Sequence, residues 1–373
     1  MSAPIELVTA PPSVRTLMPA EWRPHTRTWM EFPVASAIYG DDDSPALNQA
    51  RRAWSAVANT LAGYEAVAML TPVEHFGLAR QMLVPGVKLC PARPQSAWLR
   101  ESGPTFVHTE HFSMRAVNWR FNGWGSERWL NWDTEKQVAA DVARTAGVPT
   151  YESPLVLEGG SIQVDGEGTV LLTDTVQLDP HRNPGWTRAQ VEAEVHAKLG
   201  TTKAIWLPRG LASQNPVTTT GGQIDMVAAF VRPGVVLVHN QSDPGHPDYA
   251  VCREVAEVLS DSTDARGRRL SVVQMPAPRR TRESAHLPSG YSYVNHYVAN
   301  GVVLVGVFDD EHDSLAIEIL RRVYRGREIV ALDARDLFAF GGGIHTVTLQ
   351  QPAPLRVRAS SAERHLLRGA RPS

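Results

Sequence analysis

Tyr293-Val294-Asn295-His296-Tyr297-Val298-Ala299-Asn300-Gly301-Val302-Val303-Leu304-Val305-Gly306-Val307-Phe308 is the stretch on which the fold turns. Two apolar, β-rich runs flank Ala299-Asn300-Gly301, and Asn-Gly between such runs signals a hairpin. Helical spacing follows from Ser314 to Tyr324, then a further strand-like run from Glu328 to Leu332. Two strands, a helix and a strand make one unit.

Working outward, the same order recurs. Phe230-Val231-Arg232-Pro233-Gly234 turns into Val235 to His239; a helix from Tyr249 to Leu259 and a strand from Leu270 to Gln274 follow. Ser161 to Val164 and Val170 to Thr173 join through Asp165-Gly166-Glu167-Gly168, ahead of a helix from Thr187 to Leu199 and a strand from Ala204 to Leu207. Nearer the start, strands at Val107 and Ala116 to Phe121 precede a helix from Glu135 to Ala146 and a strand at Thr150. Thr28 to Pro33, Ala46 to Leu61 and Glu65 to Leu70 read as strand, helix and strand. A supersecondary unit repeated about five times implies a stacked or circular array. A circular array buries its inner strands, puts helices outside and makes a central mouth where loops converge. The expected organisation is a Pro-rich lead over residues 1–17, a single α/β array over 18–354, and a tail over 355–373. The tail sets Arg356, Arg358, Arg364, Arg368 and Arg371 against Glu363 with no apolar face, and reads as disordered.

The formal net charge of -2 and pI of about 6.7 leave no basic field over the chain, so nucleic acid is not an expected partner. The longest apolar run, Val302 to Phe308, is too short for a bilayer, and Met1-Ser2-Ala3-Pro4 does not open a signal peptide. Two cysteines, Cys90 and Cys252, suit a reducing compartment and no disulfide framework. A cytoplasmic protein is expected, needing neither membrane nor cofactor, and compatible with a homo-oligomer. No His, Cys or carboxylate cluster has metal-ligand spacing, and no phosphate-loop or dinucleotide fingerprint occurs.

Several repeats place glycines beside a polar side chain. These are Arg100-Glu101-Ser102-Gly103, Glu158-Gly159-Gly160-Ser161, Gly221-Gly222-Gln223-Ile224-Asp225, and Gly341-Gly342-Gly343-Ile344-His345-Thr346. Such a pattern suits side chains converging on a central pocket. The run after Gly343 reads as a strand, with His345 and Val347 on one side and Thr346 and Thr348 on the other. Three consecutive glycines allow positive φ. Arg100 and Glu101 alone read as a surface ion pair or a cation holder. Trp119, Trp124, Trp129 and Trp132 suit core or pocket wall.

These motifs, together with Met18-Pro19-Ala20-Glu21-Trp22, Val231-Arg232-Pro233-Gly234 and Tyr293-Val294-Asn295, resemble the agmatine deiminase family, which includes the bacterial peptidylarginine deiminases. The resemblance runs in order from about Met18 to Pro352. It implies a five-bladed α/β propeller with a central active site. It also implies a cysteine enzyme that removes ammonia from a guanidinium group, with a histidine moving protons and carboxylates holding the cation. The residues at the matching positions differ. Thr346 stands where the family motif has cysteine, Gln223 where it has histidine, and Glu101 where it has aspartate. His345, Glu158 and Asp225 match. A threonine hydroxyl is a poor nucleophile without a base, and glutamine cannot titrate.

The leading expectation is an enzyme acting on a small guanidine, amidine or amine without the family's thiol. Thr346, His345 and Gln223 would sit at its chemical centre; Glu101, Glu158 and Asp225, with Arg100 and Trp124 beside them, would bind a small cationic metabolite. The alternative is a catalytically inactive binder or regulator with the same pocket. An active agmatine deiminase is a third, less favoured reading.

Overall fold

The computed structural model describes residues 15–93, 96–109, 113–125, 132–214, 220–279 and 290–354. The tail expected at 355–373, most of the lead, and Trp129 lie outside them.

Five sheets form the described structure, and each is built the same way. An inner strand pairs antiparallel with a middle strand, which pairs parallel with an outer one, in four sheets within one stretch of chain. These are Thr105–Thr109, Met114–Arg120 and Thr150–Val156; Ala228–Arg232, Val235–Asn240 and Ser271–Pro276; Tyr297–Ala299, Val302–Val307 and Glu328–Asp333; and Gln163–Val164, Thr169–Thr173 and Lys203–Leu207. In the fifth, the inner strand comes from the far end of the chain: Leu349–Pro352 pairs antiparallel with His25–Glu31, which pairs parallel with Val67–Thr71. The parallel crossovers run through helices Glu135–Ala146, Arg188–Leu199, Asp248–Asp261, Asp313–Val323 and Pro45–Leu61. These are the blades of a five-bladed α/β propeller, closed by the last strand. Thr16–Leu17, within the stretch expected as a lead, also pairs with Thr105–Thr109.

Burial grades outward across a blade. Tyr297–Ala299 is buried throughout and Val302–Val307 nearly so, whereas Glu328–Asp333 alternates exposed and half-buried residues. The apolar inner and middle strands thus occupy the core, and the polar outer edge meets solvent. Inner strands of neighbouring blades touch, Gln163–Val164 against Ala228–Arg232 and Leu349–Pro352 against Thr105–Thr109.

The helices follow their sequence signals. Ser44 caps Pro45–Leu61 by accepting from Leu47 N at 3.0 Å, and Leu47, Ala50, Trp54, Val57, Ala58 and Leu61 form its buried face. Thr187 and Gln190 form a capping box at the start of Arg188–Leu199, which ends at left-handed Gly200. No helix among the described residues is long and apolar enough to cross a membrane.

Three strand expectations fail at one kind of place, the third being Ile344 to Val347. Ser161 ends a helical turn, Gly159–Ser161, and its strand begins only at Gln163. Tyr293 to His296 forms turns, with Asn295 N bonded to Ser292 O at 3.3 Å, and the strand begins at Tyr297. Each correction falls just before an inner strand.

Candidate active site

Every blade carries its turn at this position, immediately before the inner strand. Leu99–Ser102 precedes Thr105–Thr109, Gly159–Ser161 precedes Gln163–Val164, and Ile224–Met226 precedes Ala228–Arg232. The turn around Asn295 precedes Tyr297–Ala299, and Ile344–Val347 precedes Leu349–Pro352. The strand expected from Ile344 to Val347 is therefore a single helical turn. Tertiary bonds override the β-branched composition: Gly343 N donates to Thr346 Oγ1 at 3.2 Å, His345 N to Asn295 Oδ1 at 3.1 Å, and Thr348 Oγ1 to Ile344 O at 2.8 Å. Of the three glycines only Gly341 has positive φ, 101°. Gly343 is needed for close approach, since a Cβ there would run into Asn295 Oδ1 and the Phe338 ring.

The turns pack in sequence around a ring, Ile344–Val347 on Leu99–Ser102, that on Gly159–Ser161, and that on Ile224–Met226. They bring Glu101, Glu158, Asp225, Gln223, His345 and Thr346 together, all buried. Gly160 marks the meeting point. A Cβ placed on it would lie 2.5 Å from Glu101 Oε1, 3.1 Å from Asp225 Oδ2 and 3.2 Å from Gln223 Oε1.

Each carboxylate is held on one side. Glu158 Oε1 accepts from Arg182 Nε at 2.9 Å, while Oε2 has no hydrogen-bond partner among the described residues. Arg182 is itself fixed by Asp179 Oδ2 at 2.9 Å and Thr220 O at 2.7 Å. Glu101 Oε2 accepts from Trp124 Nε1 at 2.9 Å and from Gln223 Nε2; Oε1 has no partner among the described residues. Asp225 Oδ2 accepts from Asn295 Nδ2 at 3.0 Å and from His345 Nδ1 at 2.9 Å. Burial, then the Asp225 and Glu158 charges, push the Glu101 carboxyl up to about 8, against the hydrogen bonds from Gln223 and Trp124. Glu101 therefore favours its protonated form at neutral pH.

Arg100 and Glu101 are not a surface pair. Both are 2% exposed and they point apart. Arg100 donates to Gln350 Oε1 at 2.7 Å and His345 O at 3.3 Å, which ties two turns together. Trp124 has a left-handed backbone, φ 58°, an unfavourable state for a large side chain. That backbone aims its indole N–H at Glu101 while the ring packs edge-on against Trp98, Phe121 and Trp132. Trp119 and Trp132 are buried, and Trp124 packs half-buried against the core.

Thr346 Oγ1 lies 3.3 Å from Asn295 Nδ2 and accepts from Gly343 N. No histidine ring or carboxylate among the described residues accepts its proton. Cys90 lies in the strand Val87–Pro91 and Cys252 on the helix Asp248–Asp261, and neither touches the cluster. Burial pushes both thiols up, Cys252 to about 11. The cluster thus contains no thiol.

Sequence reasoning gave no role to Glu21, Arg182 or Asn295. Glu21 and Asn295 lie inside quoted motifs, but only the tertiary structure shows what they touch.

The description "Porphyromonas-type peptidyl-arginine deiminase" matches residues 17–352. A Streptomyces coelicolor protein is 50% identical over 335 residues, 90% of this chain and 98% of its own. The agmatine deiminase of Pseudomonas fluorescens is 37% identical over 359 residues, 90% of this chain and 95% of that one. The solved agmatine deiminase of Enterococcus faecalis superposes with a TM-score of 0.85 at 29% identity, over 91% of this chain and 96% of that one. A match over nearly the whole chain, together with the shared fold, places it: the chain belongs to the Porphyromonas-type peptidyl-arginine deiminase family.

Proposed function

We propose that this chain binds the guanidinium head of a small metabolite between Glu101, Glu158 and Asp225, and acts on a C–N bond of that head without a thiol nucleophile. The observation that carries the reading is the convergence over Gly160. Buried carboxylates there keep Glu101 Oε1 and Glu158 Oε2 without partners. A buried Glu158 oxygen left unpaired and a Glu101 carboxyl forced to keep its proton are both unfavourable, and a planar cation with several N–H donors relieves them. The names of the relatives make agmatine the first ligand to try.

Glu101 is the acid–base group of this reading. In the empty site its carboxyl lies at about 8, so it holds a proton that a bound cation can release. Cation binding displaces its proton. The carboxylate then takes a proton from water as the water oxygen bonds to the guanidinium carbon. It returns that proton to the departing nitrogen as the C–N bond breaks, and the remaining hydroxyl proton passes to the released ammonia, giving a substituted urea and ammonium. Thr346 and Gln223 orient the water and the head. His345 holds Asp225.

A second reading, a binder without turnover, is favoured by one observation: Thr346 has no base beside it and Gln223 cannot titrate. Titration calorimetry with agmatine, followed by mass analysis of the recovered ligand, separates the two. Binding with release of ammonium and a urea supports the enzyme; binding with intact ligand supports the binder; no binding contradicts both. The double substitution Thr346→Cys with Gln223→His is expected to raise deimination at least tenfold over the starting protein, by supplying a nucleophile and a base.

A further inference from the structure

Glu21 lies outside the blades' repeated turns, yet it reaches the centre. Its Oε1 meets His345 Nε2 at 2.7 Å, and Arg100 Nη1 lies 3.6 Å from the same oxygen. The other nitrogen of that ring, Nδ1, meets Asp225 Oδ2 at 2.9 Å. An imidazole with an ionised carboxylate on each nitrogen satisfies both only by donating twice, as imidazolium. The backbone behind Glu21 is also fixed. His25 Nε2 meets the Glu21 carbonyl at 2.9 Å, His25 Nδ1 meets Glu65 Oε1 at 3.2 Å, and Glu65 Oε2 accepts from Asn300 N at 2.8 Å.

We propose that Glu21 is a positioning residue: it keeps His345 protonated on both nitrogens, and through that ring pins Asp225, whose Oδ2 borders the cage over Gly160. The inference rests on the cation-cage reading for its last step only. The charged and titratable groups facing His345 are Glu21, Asp225, Arg100 and His296. Burial and Arg100 push the His345 imidazole down, but Glu21 and Asp225 outweigh them and hold it above its ordinary value. His296 is driven to about 4 by burial, so it stays neutral, with its Nε2 2.8 Å from the Tyr324 hydroxyl. Burial works against the Glu21 carboxylate, yet His345 and Arg100 hold it at about 2.

The test follows the imidazole nitrogens of His345 by NMR in protein labelled with ¹⁵N-histidine, the signal being assigned by its loss in H345Q. In the wild-type protein, His345 is expected to remain doubly protonated above the ordinary value of about 6.5. In E21Q, which keeps an acceptor but removes the charge, its pKa is expected to fall by at least about one unit, tenfold in protonation, and agmatine affinity at pH 7 to fall about tenfold. E21D, which keeps the charge, is expected to lie between the two. A wild-type His345 that titrates at or below the ordinary value overturns the proposal even if E21Q fails to fold. So does an unchanged His345 pKa in E21Q, or a lowered pKa with agmatine affinity unchanged. If the wild-type protein does not bind agmatine, the cage reading fails, while the titration still decides whether Glu21 controls the ring.

Discussion

Glu101 carries the strongest pH signature in the site. Its folded pKa, about 8, lies above the ordinary carboxylate value of 4.5. The protonated form thus stabilises the empty protein fully below pH 4.5, and that contribution is lost as pH rises through about 8. Bound cation reverses the preference, because it needs the carboxylate. Agmatine affinity is therefore expected to rise with pH, up to about tenfold per unit below pH 8, and to level off above it. Calorimetry across pH 6 to 9 reads this slope, and E101Q should flatten it. Gly160 offers an independent check. An alanine Cβ would come within 2.5 Å of Glu101 Oε1, and the Gly160 backbone does not have positive φ. Gly160→Ala should weaken agmatine binding more than about tenfold while leaving circular dichroism unchanged. Glu101, Glu158 and Asp225 were legible because glycines flank them in the sequence. Glu21 and Asn295 were not, because their roles arise from contacts hundreds or tens of residues away, with His345 and Asp225.

The element that makes the site is the helical turn before each inner strand. Sequence spacing found the long helices, since capping and apolar periodicity are local properties. It missed the turns at Gly159–Ser161 and Ile344–Val347, where a bond from another blade, or to a nearby carbonyl, wins over β propensity. Supporting groups behind the turns matter as much. Arg182 is buried completely and pairs with Glu158 and Asp179. Arg182→Met would leave both carboxylates in the interior without their cation. It should destabilise the protein by about 3–5 kcal/mol, read from urea unfolding at neutral pH. A change below about 1 kcal/mol would mean that water reaches Glu158.

Propeller closure sets the geometry of the whole molecule. Leu349–Pro352 supplies the inner strand to the blade begun by His25–Glu31, so segments near both ends of the described chain meet in one sheet. The Glu21 segment and the Ile344–Val347 turn both flank that junction, which brings His345 to Glu21. The repeat was visible in the sequence because each blade spells its own hairpin and helix. Closure came from the family resemblance, because the pairing of strands at opposite ends leaves no local pattern. The turns converge on one cage that contains no thiol. Calorimetric titration of agmatine into the wild-type protein and into C90A/C252A at pH 8 tests it most directly. One-site binding is expected in both, with affinities within about twofold. Absence of binding to the wild-type protein, or its loss in the double variant, would contradict it.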